Sequence, residues 1–401
     1  MKSAVVSGAP GKDVQIKIDS VENLPSQFQK YLRKTIAYSK IPMAYGSDWS
    51  MEKVFEELNK HTVQPVSYSY GGRAPHIAYG VAKLGGDVSL VTVFGDDLDK
   101  PYPGFFDGGY WNHLLRSKVK MQLTKVEVPE NLWQTPNQLR NYLETNYAPA
   151  IYQTSTLQVV GKETATIVCC KDLNGIDFFY IDDIKGASYI EIARPPPRAV
   201  IEKADIVFIT SSEPQFMQDM VITASKLKKE VIIDVASYGV TPEYLRTVTP
   251  LTKILLGNPN EIKQVQDAFQ VKNVEDIFNA THTNFPEAIV LEDKFTGSAQ
   301  IHRRDGEKTS VGPVPLSKTG NSVGCCDGIA AGFLSLHQRG FDLETCVRAG
   351  LGLCASIWEV EGVQEGMLDK PAFYERFTRH FNSQYSEKEL NQIKNALFEK
   401  T

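Results

Sequence analysis

The sequence predicts an α/β protein in which a mainly parallel sheet is covered by helices on both faces. Three observations support this prediction. Strand-like and helix-like segments alternate through the C-terminal half, which is typical of strand–helix–strand units. Two glycine turns each lead into a helical pattern of small residues. The chain has 401 residues, of which 42% are hydrophobic, enough to bury the core of one large α/β domain or of two ordinary ones.

The elements follow in order from the N-terminus. A short apolar strand begins near Ser3. Apolar residues at helical spacing after Gly72 predict a helix, and the run Val88–Phe94 predicts a buried strand. Farther along, strands alternate with helices over 204–210, 213–228, 230–234, 253–256, 261–269 and 288–291. The tail after Gly328 predicts further helices, two of which lie on either side of Gly340.

Four segments do not fit this alternation. They are rich in β-prone residues and alternate between apolar and polar side chains. These segments are Val14–Asp19, Val66–Tyr70, Met121–Val128 and Thr164–Tyr180. The sequence predicts strands there, outside the strand–helix–strand units.

Composition and charge exclude several classes of protein. The net charge is −5 and the isoelectric point is near 5.9, whereas a general nucleic-acid binder shows a basic stripe. No apolar run approaches the roughly 18 residues of a membrane span. The N-terminus has neither the apolar core nor the cleavage site of a signal peptide. We therefore expect a cytoplasmic protein without nucleic-acid or membrane partners.

The cysteines have no spacing that is typical of a metal site or of a disulfide framework. We expect small, reduced and mostly buried residues. Two of them stand at a predicted helix N-terminus, a position that lowers the pKa of a thiol. The six are Cys169, Cys170, Cys325, Cys326, Cys346 and Cys354.

The segment Lys318–Phe333 reads KTGNSVGCCDGIAAGF. A glycine turn opens a helix of small residues here and places Asp327 in its first turn. Unpaired N–H groups at a helix N-terminus, together with the helix dipole, attract a transferring phosphate. A carboxylate beside them can take a proton from an attacking hydroxyl. The segment therefore predicts either a phosphoryl-transfer site or only a capped helix start.

Two further motifs lie upstream of this segment. The first, GGRAPHIAYGVAKLG at Gly71–Gly85, is followed by VTVFGDD at Val91–Asp97. Its paired glycines allow a tight turn and a close approach of the backbone to a ligand. The second, ILLGNPNE at Ile254–Glu261, is a buried strand that ends in an Asn-x-x-Glu loop. Each could be ordinary loop chemistry, but the three motifs in this order and spacing are specific.

Taken together, the motifs resemble those of the PfkB/ribokinase family of small-molecule kinases. The C-terminal family signature D-T-x-G-A-G-D corresponds to Asn321–Asp327, and the family's N-x-x-E motif to Asn258 and Glu261. Longer stretches are similar in pattern to the bacterial adenosine and nucleoside kinases within that family. They are Ser7–Asp13, Leu24–Tyr45, Glu163–Ser188 and Ala355–Glu365.

The resemblance implies a single ribokinase-like domain over 1–401, a three-layer α/β/α sandwich with a mainly parallel central sheet and a small β-sheet lid. The lid is expected from segments 14–19, 64–70, 118–128 and 157–182. Residues 129–155, rich in Asn, Gln, Tyr and Pro, are similar to an insertion relative to shorter family members. In this family the exposed edge of the lid often pairs with a second copy, so a homodimer is one possibility.

The resemblance also assigns roles to matched positions. Asp327 becomes the catalytic base, and the N–H groups of Gly324, Cys325, Cys326 and Asp327 become the anion hole. Asn258 and Glu261 organise Mg²⁺ and the phosphates of ATP, the alternative being a helix cap. No residue is predicted to ligate the metal directly.

The substrate side of the site is assigned in the same way. The substrate-binding residues become Asp13, Gly71, Gly72 and His76. A carboxylate accepts two sugar hydroxyls at once, although Asp13 could also be a turn aspartate. His76 stands where the family usually has Asn, and it either donates to a hydroxyl or fills the helix start.

The chain departs from the family pattern at three places. Asn321 replaces the usual Asp, Cys326 replaces a glycine, and Leu291-Glu292-Asp293 replaces most of a T-x-G-x-x-G motif near the nucleotide. Two classes of function remain open. One is an ATP-dependent kinase for the hydroxymethyl group of a nucleoside, adenosine-like, with a sugar kinase as the alternative. The other is a nucleoside- or sugar-binding protein of the same fold with impaired turnover.

Overall fold

The computed structural model describes residues 1–26, 29, 51–100, 109–133, 135–173, 177–182, 186–236, 240–316, 323–360 and 362–399. The described strands are β1 (Ser3–Ser7), β2 (Gly11–Ile18), β3 (Ser67–Gly71), β4 (Asp87–Gly95), β5 (Leu123–Val126), β6 (Thr156–Val159), β7 (Thr166–Asp172), β8 (Asp177–Asp182), β9 (Ile206–Ile209), β10 (Glu230–Asp234), β11 (Ile254–Gly257), β12 (Ala288–Asp293), β13 (Ser298–Arg303) and β14 (Lys308–Val311).

The α-helices of the same residues are α1 (Met51–Asn59), α2 (Arg73–Lys83), α3 (Gly109–Arg116), α4 (Pro136–Tyr147), α5 (Ala150–Gln153), α6 (Arg198–Lys203), α7 (Pro214–Lys226), α8 (Pro242–Val248), α9 (Pro259–Phe269), α10 (Val274–Ala280), α11 (Cys325–His337), α12 (Leu343–Trp358), α13 (Lys370–Phe381) and α14 (Glu387–Phe398). None of these helices is long and apolar enough to cross a membrane.

A ten-stranded sheet forms the centre of the molecule, in the order β14-β13-β12-β11-β10-β9-β1-β4-β6-β5. Neighbouring strands pair in parallel from β12 to β5, and the pairs β12–β13 and β13–β14 are antiparallel. Its inner strands are continuous apolar runs, such as the fully buried IVFI of β9. Such runs are expected because helices cover both faces of a parallel sheet.

The two faces of the sheet have separate hydrophobic cores. Side chains of α2, α11 and α12 pack on one face, and those of α7, α8, α9 and α10 pack on the other. The structure therefore confirms the predicted three-layer α/β/α architecture with a mainly parallel sheet.

A second, four-stranded sheet has the order β3-β2-β7-β8. It has a core of its own, which includes Val14, Ile16, Val168 and, from α1, Leu58. The predicted strands within 14–19, 64–70 and 164–180 belong to this small sheet, in the place expected of a lid.

Two parts of the predicted lid were assigned to the wrong sheet. Segment 118–128 contains β5, and segment 157–182 begins within β6. Both strands lie at the edge of the large sheet, where β6 pairs in parallel with β4 and β5. The physical reason is burial: Val126, Leu157 and Val159 are fully buried in a cluster at that edge. Local β-preference predicted the strands correctly but carried no information on which sheet they join.

The segment 129–155 is largely helical. It contains α4 and α5, and its Trp133, Leu139, Leu143 and Ile151 are buried in the same cluster as β5 and β6. This segment therefore covers the outer edge of the large sheet.

The connections of the small sheet lead directly to one edge of the large sheet. β1 runs into β2 through the turn at Gly8, whose carbonyl accepts a hydrogen bond from the Thr92 hydroxyl at 2.8 Å. β3 runs into α2 through Gly71 and Gly72. Parallel sheets bind ligands at the carboxyl ends of their strands. The polar residues at the carboxyl ends of β1, β10 and β11 therefore lie close together, beside the Gly8 turn and the double-glycine turn.

Candidate active site

Asp13 and His76 form a buried pair at the junction of the two sheets. Asp13 Oδ2 lies 3.4 Å from His76 Nε2. Burial alone lowers the pKa of His76, but the hydrogen bond and the charge of Asp13 outweigh it and raise that pKa. Within the described residues, Asp13 Oδ1 and His76 Nδ1 have no hydrogen-bond partner. The pair therefore offers a free acceptor and a second polar atom to a ligand.

The double glycine brings the backbone against this pair. A Cβ on Gly71 would stand 1.9 Å from Asp13 Oδ1. Gly72 has a φ of 93°, a conformation that residues with a Cβ rarely adopt. A Cβ there would also lie 2.5 Å from Pro10 Cα. Both positions require glycine for the close approach of β3 to the turn after β1.

Asp327 lies in the first turn of α11 and is 5% exposed. Gly324 caps this helix with a φ of 74°, and its carbonyl accepts a hydrogen bond from the Gly328 N–H at 2.9 Å. The glycine is also required sterically, since a Cβ would lie 2.2 Å from Val363 Cγ1. The N-terminal N–H groups of α11, which can act as donors to an anion, thus lie beside a buried carboxylate, which can act as a proton acceptor.

Arg73, the residue after the double glycine, connects the acidic residues of the site. Its Nε donates to Asp327 Oδ1 at 3.1 Å, and one terminal nitrogen donates to Asp234 Oδ2 at 2.5 Å. The other terminal nitrogen lies 3.7 Å from Glu261 Oε1. Burial opposes the charge of Arg73, but these carboxylates hold its pKa well above the ordinary value. Arg73 therefore remains a cation between three carboxylates.

Asn258 and Glu261 form a capping box at the start of α9. The Asn258 side chain accepts from the Glu261 N–H at 3.1 Å, and Glu261 Oε2 accepts from the Asn258 N–H at 2.8 Å. The alternative raised from the sequence, a helix cap, is thus present. The cap uses only one carboxylate oxygen of Glu261, because the other, Oε1, faces Arg73.

Burial raises the pKa of Asp327, while Arg73 and then His76 act in the opposite direction. Burial raises the pKa of Asp234 as well, and Arg73 again opposes the shift. The pKa of the Cys326 thiol is well above its ordinary value, mainly because of burial. The expectation that the helix N-terminus lowers the thiol pKa at this position is therefore wrong, since desolvation outweighs the dipole.

Three residues of this site were not among those assigned from the sequence. Arg73 stands inside a recognised motif, and its position after the paired glycines was the available signal. Asp234 ends the apolar strand EVIID, next to β11, and its position at the carboxyl end of a strand was the available signal. Glu292 was noted only as a departure from the family pattern, yet it is fully enclosed beside the other carboxylates. Asn321 and Ser322 of the C-terminal signature lie outside the described residues.

A separate cavity of about 180 Å³ lies near the small sheet. Its lining includes Lys12, Tyr70, Asp97 and Tyr110, but none of the site residues assigned from the sequence. The Tyr110 hydroxyl donates to the Gly71 carbonyl at 2.7 Å. The cavity and the Asp13–His76 pair therefore both lie beside the double-glycine turn.

The chain is similar in sequence and in fold to known nucleoside kinases. The chain is 23% identical over 336 residues to a nucleoside kinase of Methanocaldococcus jannaschii, covering 83% of this chain and 93% of the relative. It is 25% identical over 328 residues to a nucleoside kinase of Methanothermobacter thermautotrophicus, covering 81% and 90%. The fold is similar to that of Burkholderia thailandensis nucleoside kinase, solved in complex with inosine. The TM-score is 0.66 at 16% identity, over 95% of this chain and 98% of the other.

The profile of the pfkB family carbohydrate kinases matches residues 148–370, more than half of the chain. This range includes the Asn258–Glu261 capping box and the start of α11 with Asp327. The chain therefore belongs to the pfkB family of carbohydrate kinases, and it is a small-molecule kinase.

Proposed function

We propose that this protein transfers the γ-phosphoryl group of ATP to the hydroxymethyl group of a nucleoside, with adenosine or a similar purine nucleoside as the substrate. The observation that carries the proposal is the placement of Asp327. This buried carboxylate lies in the first turn of α11 and interacts electrostatically with both residues of the Asp13–His76 pair. A base in this position serves a hydroxyl that is held at one end and a phosphate that is held at the other.

The roles of the residues follow from their chemistry. Asp13 accepts hydrogen bonds from sugar hydroxyls, and His76 donates or accepts beside it. Asp327 takes the proton of the hydroxymethyl group, and the N–H groups of Gly324, Cys325, Cys326 and Asp327 stabilise the charge of the phosphoryl group in flight.

The opposite end of the site is suited to phosphate and a hard cation. Arg73 lowers the pKa of Asp327 against the effect of burial, and its positive charge stabilises the transferring phosphate. Glu261, placed by its capping box with Asn258, turns one oxygen toward the same space. The carboxylate oxygens gathered there suit Mg²⁺. When bound, Mg²⁺ would neutralise part of the phosphate charge.

The named relatives favour a nucleoside over a free sugar as the substrate. Both are nucleoside kinases, and this chain matches each of them along most of its length. The complex of the Burkholderia protein with inosine supports a purine in particular. A cytoplasmic location and a homodimer formed through the edge of the small sheet remain proposals, and light scattering of the purified chain decides the second.

The test is a coupled ADP-release assay with ATP and Mg²⁺ against a panel of nucleosides and free sugars. We expect turnover on adenosine or another purine nucleoside, and none with the Asp327→Ala variant. Turnover on sugars alone would assign the protein to the sugar kinases. Tight nucleoside binding without turnover would identify it instead as a binding protein of this fold.

A further inference from the structure

Tyr110, on α3, is a buried side chain whose hydroxyl bonds to the double-glycine turn. It is 4% exposed, and its hydroxyl donates to the Gly71 carbonyl at 2.7 Å. The same oxygen accepts a hydrogen bond from Gln364 Nε2 at 3.2 Å. Burial, followed by the charge of Asp13, raises the pKa of Tyr110 well above its ordinary value. The hydroxyl therefore keeps the proton that it donates.

The hydrogen bonds of this group run in one direction. Because the amide nitrogen of Gln364 donates to Tyr110, its amide oxygen is the acceptor for His113 Nε2, which lies 2.6 Å away. Donation therefore passes from His113 through Gln364 and Tyr110 to the Gly71 carbonyl. Gln364 is itself only 5% exposed. A buried chain of this kind is costly to break, because the loss of one member leaves another polar group without its partner.

Aromatic packing holds the Tyr110 ring in place. The ring stacks on Tyr70 of β3 with centroids 4.4 Å apart and an interplanar angle of 14°. Phe94 of β4 meets the ring edge-on at 5.4 Å. His113, one turn farther along α3, stacks on Tyr79 of α2 at 4.9 Å. Packing by β3, β4 and α2 thus fixes this side of α3 independently of the Tyr110 hydroxyl.

The segment Val363–Gln364 connects this group to the N-terminus of α11. Val363 is 1% exposed, and it packs so closely on Gly324 that a Cβ on that glycine would lie 2.2 Å from Val363 Cγ1. The next residue, Gln364, bonds to Tyr110. Two adjacent residues thus contact the glycine that opens α11 and the tyrosine that holds the double-glycine turn. The proposed anion hole and the proposed substrate end are therefore connected through one short segment.

The double-glycine turn depends on such a restraint. Glycine has more accessible backbone conformations than any other residue, so two in succession are weakly fixed by their own sequence. A planar peptide turns as a unit, and a hydrogen bond to the Gly71 carbonyl therefore also fixes the direction of the Gly72 N–H. The turn packs on Asp13 at Gly71 and leads directly to Arg73. The orientation of this peptide thus affects the placement of both side chains.

We propose that Tyr110, supported by Gln364, is a positioning residue for the phosphoryl transfer. By fixing the double-glycine turn relative to the start of α11, it aligns the hydroxyl of the bound nucleoside with Asp327 and the transferring phosphate. In this role Tyr110 touches no reacting atom and acts through Gly71. The inference rests on the proposed function, since it concerns the same reaction. Phosphoryl transfer depends strongly on the positioning of the reacting groups.

The test compares Tyr110→Phe with the wild type in the ADP-release assay, with the acceptor that the wild type uses. Phenylalanine keeps the ring and its packing but removes the hydrogen bond to Gly71. We expect kcat to fall by about 10- to 100-fold, the range of misplaced reacting groups. The dissociation constant of the acceptor, measured by calorimetry, should change little because Asp13 and His76 remain. A kcat equal to that of the wild type in a folded variant would overturn the inference.

Tyr374→Phe is the matched control. The Tyr374 hydroxyl also donates to a backbone carbonyl, that of Leu390, at 3.3 Å, but this bond joins α13 to α14, outside the candidate site. The control should keep the kcat of the wild type, and an equal loss in both variants would overturn the inference. A merely structural role of Tyr110 would lower the stoichiometry of acceptor binding and the unfolding temperature, and it would leave the kcat per folded chain unchanged.

A double-mutant cycle tests whether Gln364 acts through Tyr110. Gln364→Met has a side chain of similar size without the amide group, and we expect a smaller fall in kcat than for Tyr110→Phe. The double variant should lose no more than Tyr110→Phe alone, because the bond that Gln364 supports is already gone. Additive losses would overturn the role given to Gln364. Gln364→Met also serves as the test variant if Tyr110→Phe does not fold.

Turnover by the wild type separates this inference from the proposed function. Equal turnover by the wild type and by Tyr110→Phe defeats the positioning role alone, and the kinase reaction stands. No turnover by the wild type on any nucleoside or sugar defeats the proposed function, and the inference with it.

Discussion

The two ends of the candidate active site lie beside the same edge of the large sheet but are built differently. At the proposed phosphate end, Arg73 lies within 4 Å of Asp327, Asp234 and Glu261. Charge holds this end together. At the proposed substrate end, one buried carboxylate faces one imidazole, and the backbone of Gly71 packs against the carboxylate. The geometry of this end therefore depends on close packing against Gly71, which has no Cβ.

The comparison indicates how each end should respond to mutation. Where charge dominates, removing one group changes the protonation of its neighbours. Where packing dominates, adding one carbon displaces a binding group without altering the charges. The first kind of change affects the chemical step and its pH dependence, and the second affects substrate recognition. The following predictions separate the two.

The largest effect is expected from Asp327→Ala. Loss of a general base lowers kcat by about 10²–10⁴-fold, while the nucleoside KM changes little because Asp13 and His76 are intact. The measurement is the coupled ADP-release assay, with Asp327→Asn as the variant of equal size. A kcat near that of the wild type in both variants would remove Asp327 from the chemical step.

A smaller loss is expected from Gly71→Ala. The new Cβ would lie 1.9 Å from Asp13 Oδ1, so the carboxylate must move. Displacement of a positioning group by about 1 Å can cost about 10²-fold, and we expect this loss in kcat/KM for the nucleoside. ATP affinity should be unaffected. Gly352→Ala is the control, since among the described residues no atom beyond its chain neighbours and its own helix backbone lies within 4 Å of a Cβ there. Equal loss in both variants would show a general packing defect.

Arg73→Met tests the charged end through pH. Arg73 lowers the pKa of Asp327, so its removal raises that pKa. A base acts only when it has lost its proton, and the acid limb of kcat/KM therefore moves to higher pH. Arg73→Lys retains the positive charge and should keep the limb closer to that of the wild type. If the limb of a folded Arg73→Met variant does not move, Arg73 does not control Asp327.

The smallest effect is expected from Cys326→Gly, which restores the family's glycine. Cys326 already lies within α11, so its Cβ imposes no backbone strain. We expect little change in kcat and a loss of stability of about 0.5–1 kcal/mol relative to Cys326→Ala, since glycine is unfavourable within helices. Thermal unfolding and kcat measure both effects. A large increase in kcat would show that the Cβ narrows the anion hole.

Much of the fold was predictable because its signals are local. The strands 230–234 and the helix after Gly72 follow from apolar periodicity, and the structure places both as expected. The sheet membership of 118–128 was not predictable, since β-preference does not specify a partner strand. Among the candidate site residues, Asp13, Glu261 and Asp327 were predicted from motifs. Arg73 and Glu292 were not, because their importance depends on neighbours that are distant in sequence.

The sequence by itself determined the family, the three-layer architecture and the positions of the motifs, because glycine turns, apolar periodicity and helix starts are short-range features. Only the tertiary structure decided that Arg73 joins three carboxylates from three different elements, and that Glu292 is buried with no hydrogen-bond partner among the described residues. Charge interactions depend on distance and desolvation in space. Neither quantity can be read along the chain.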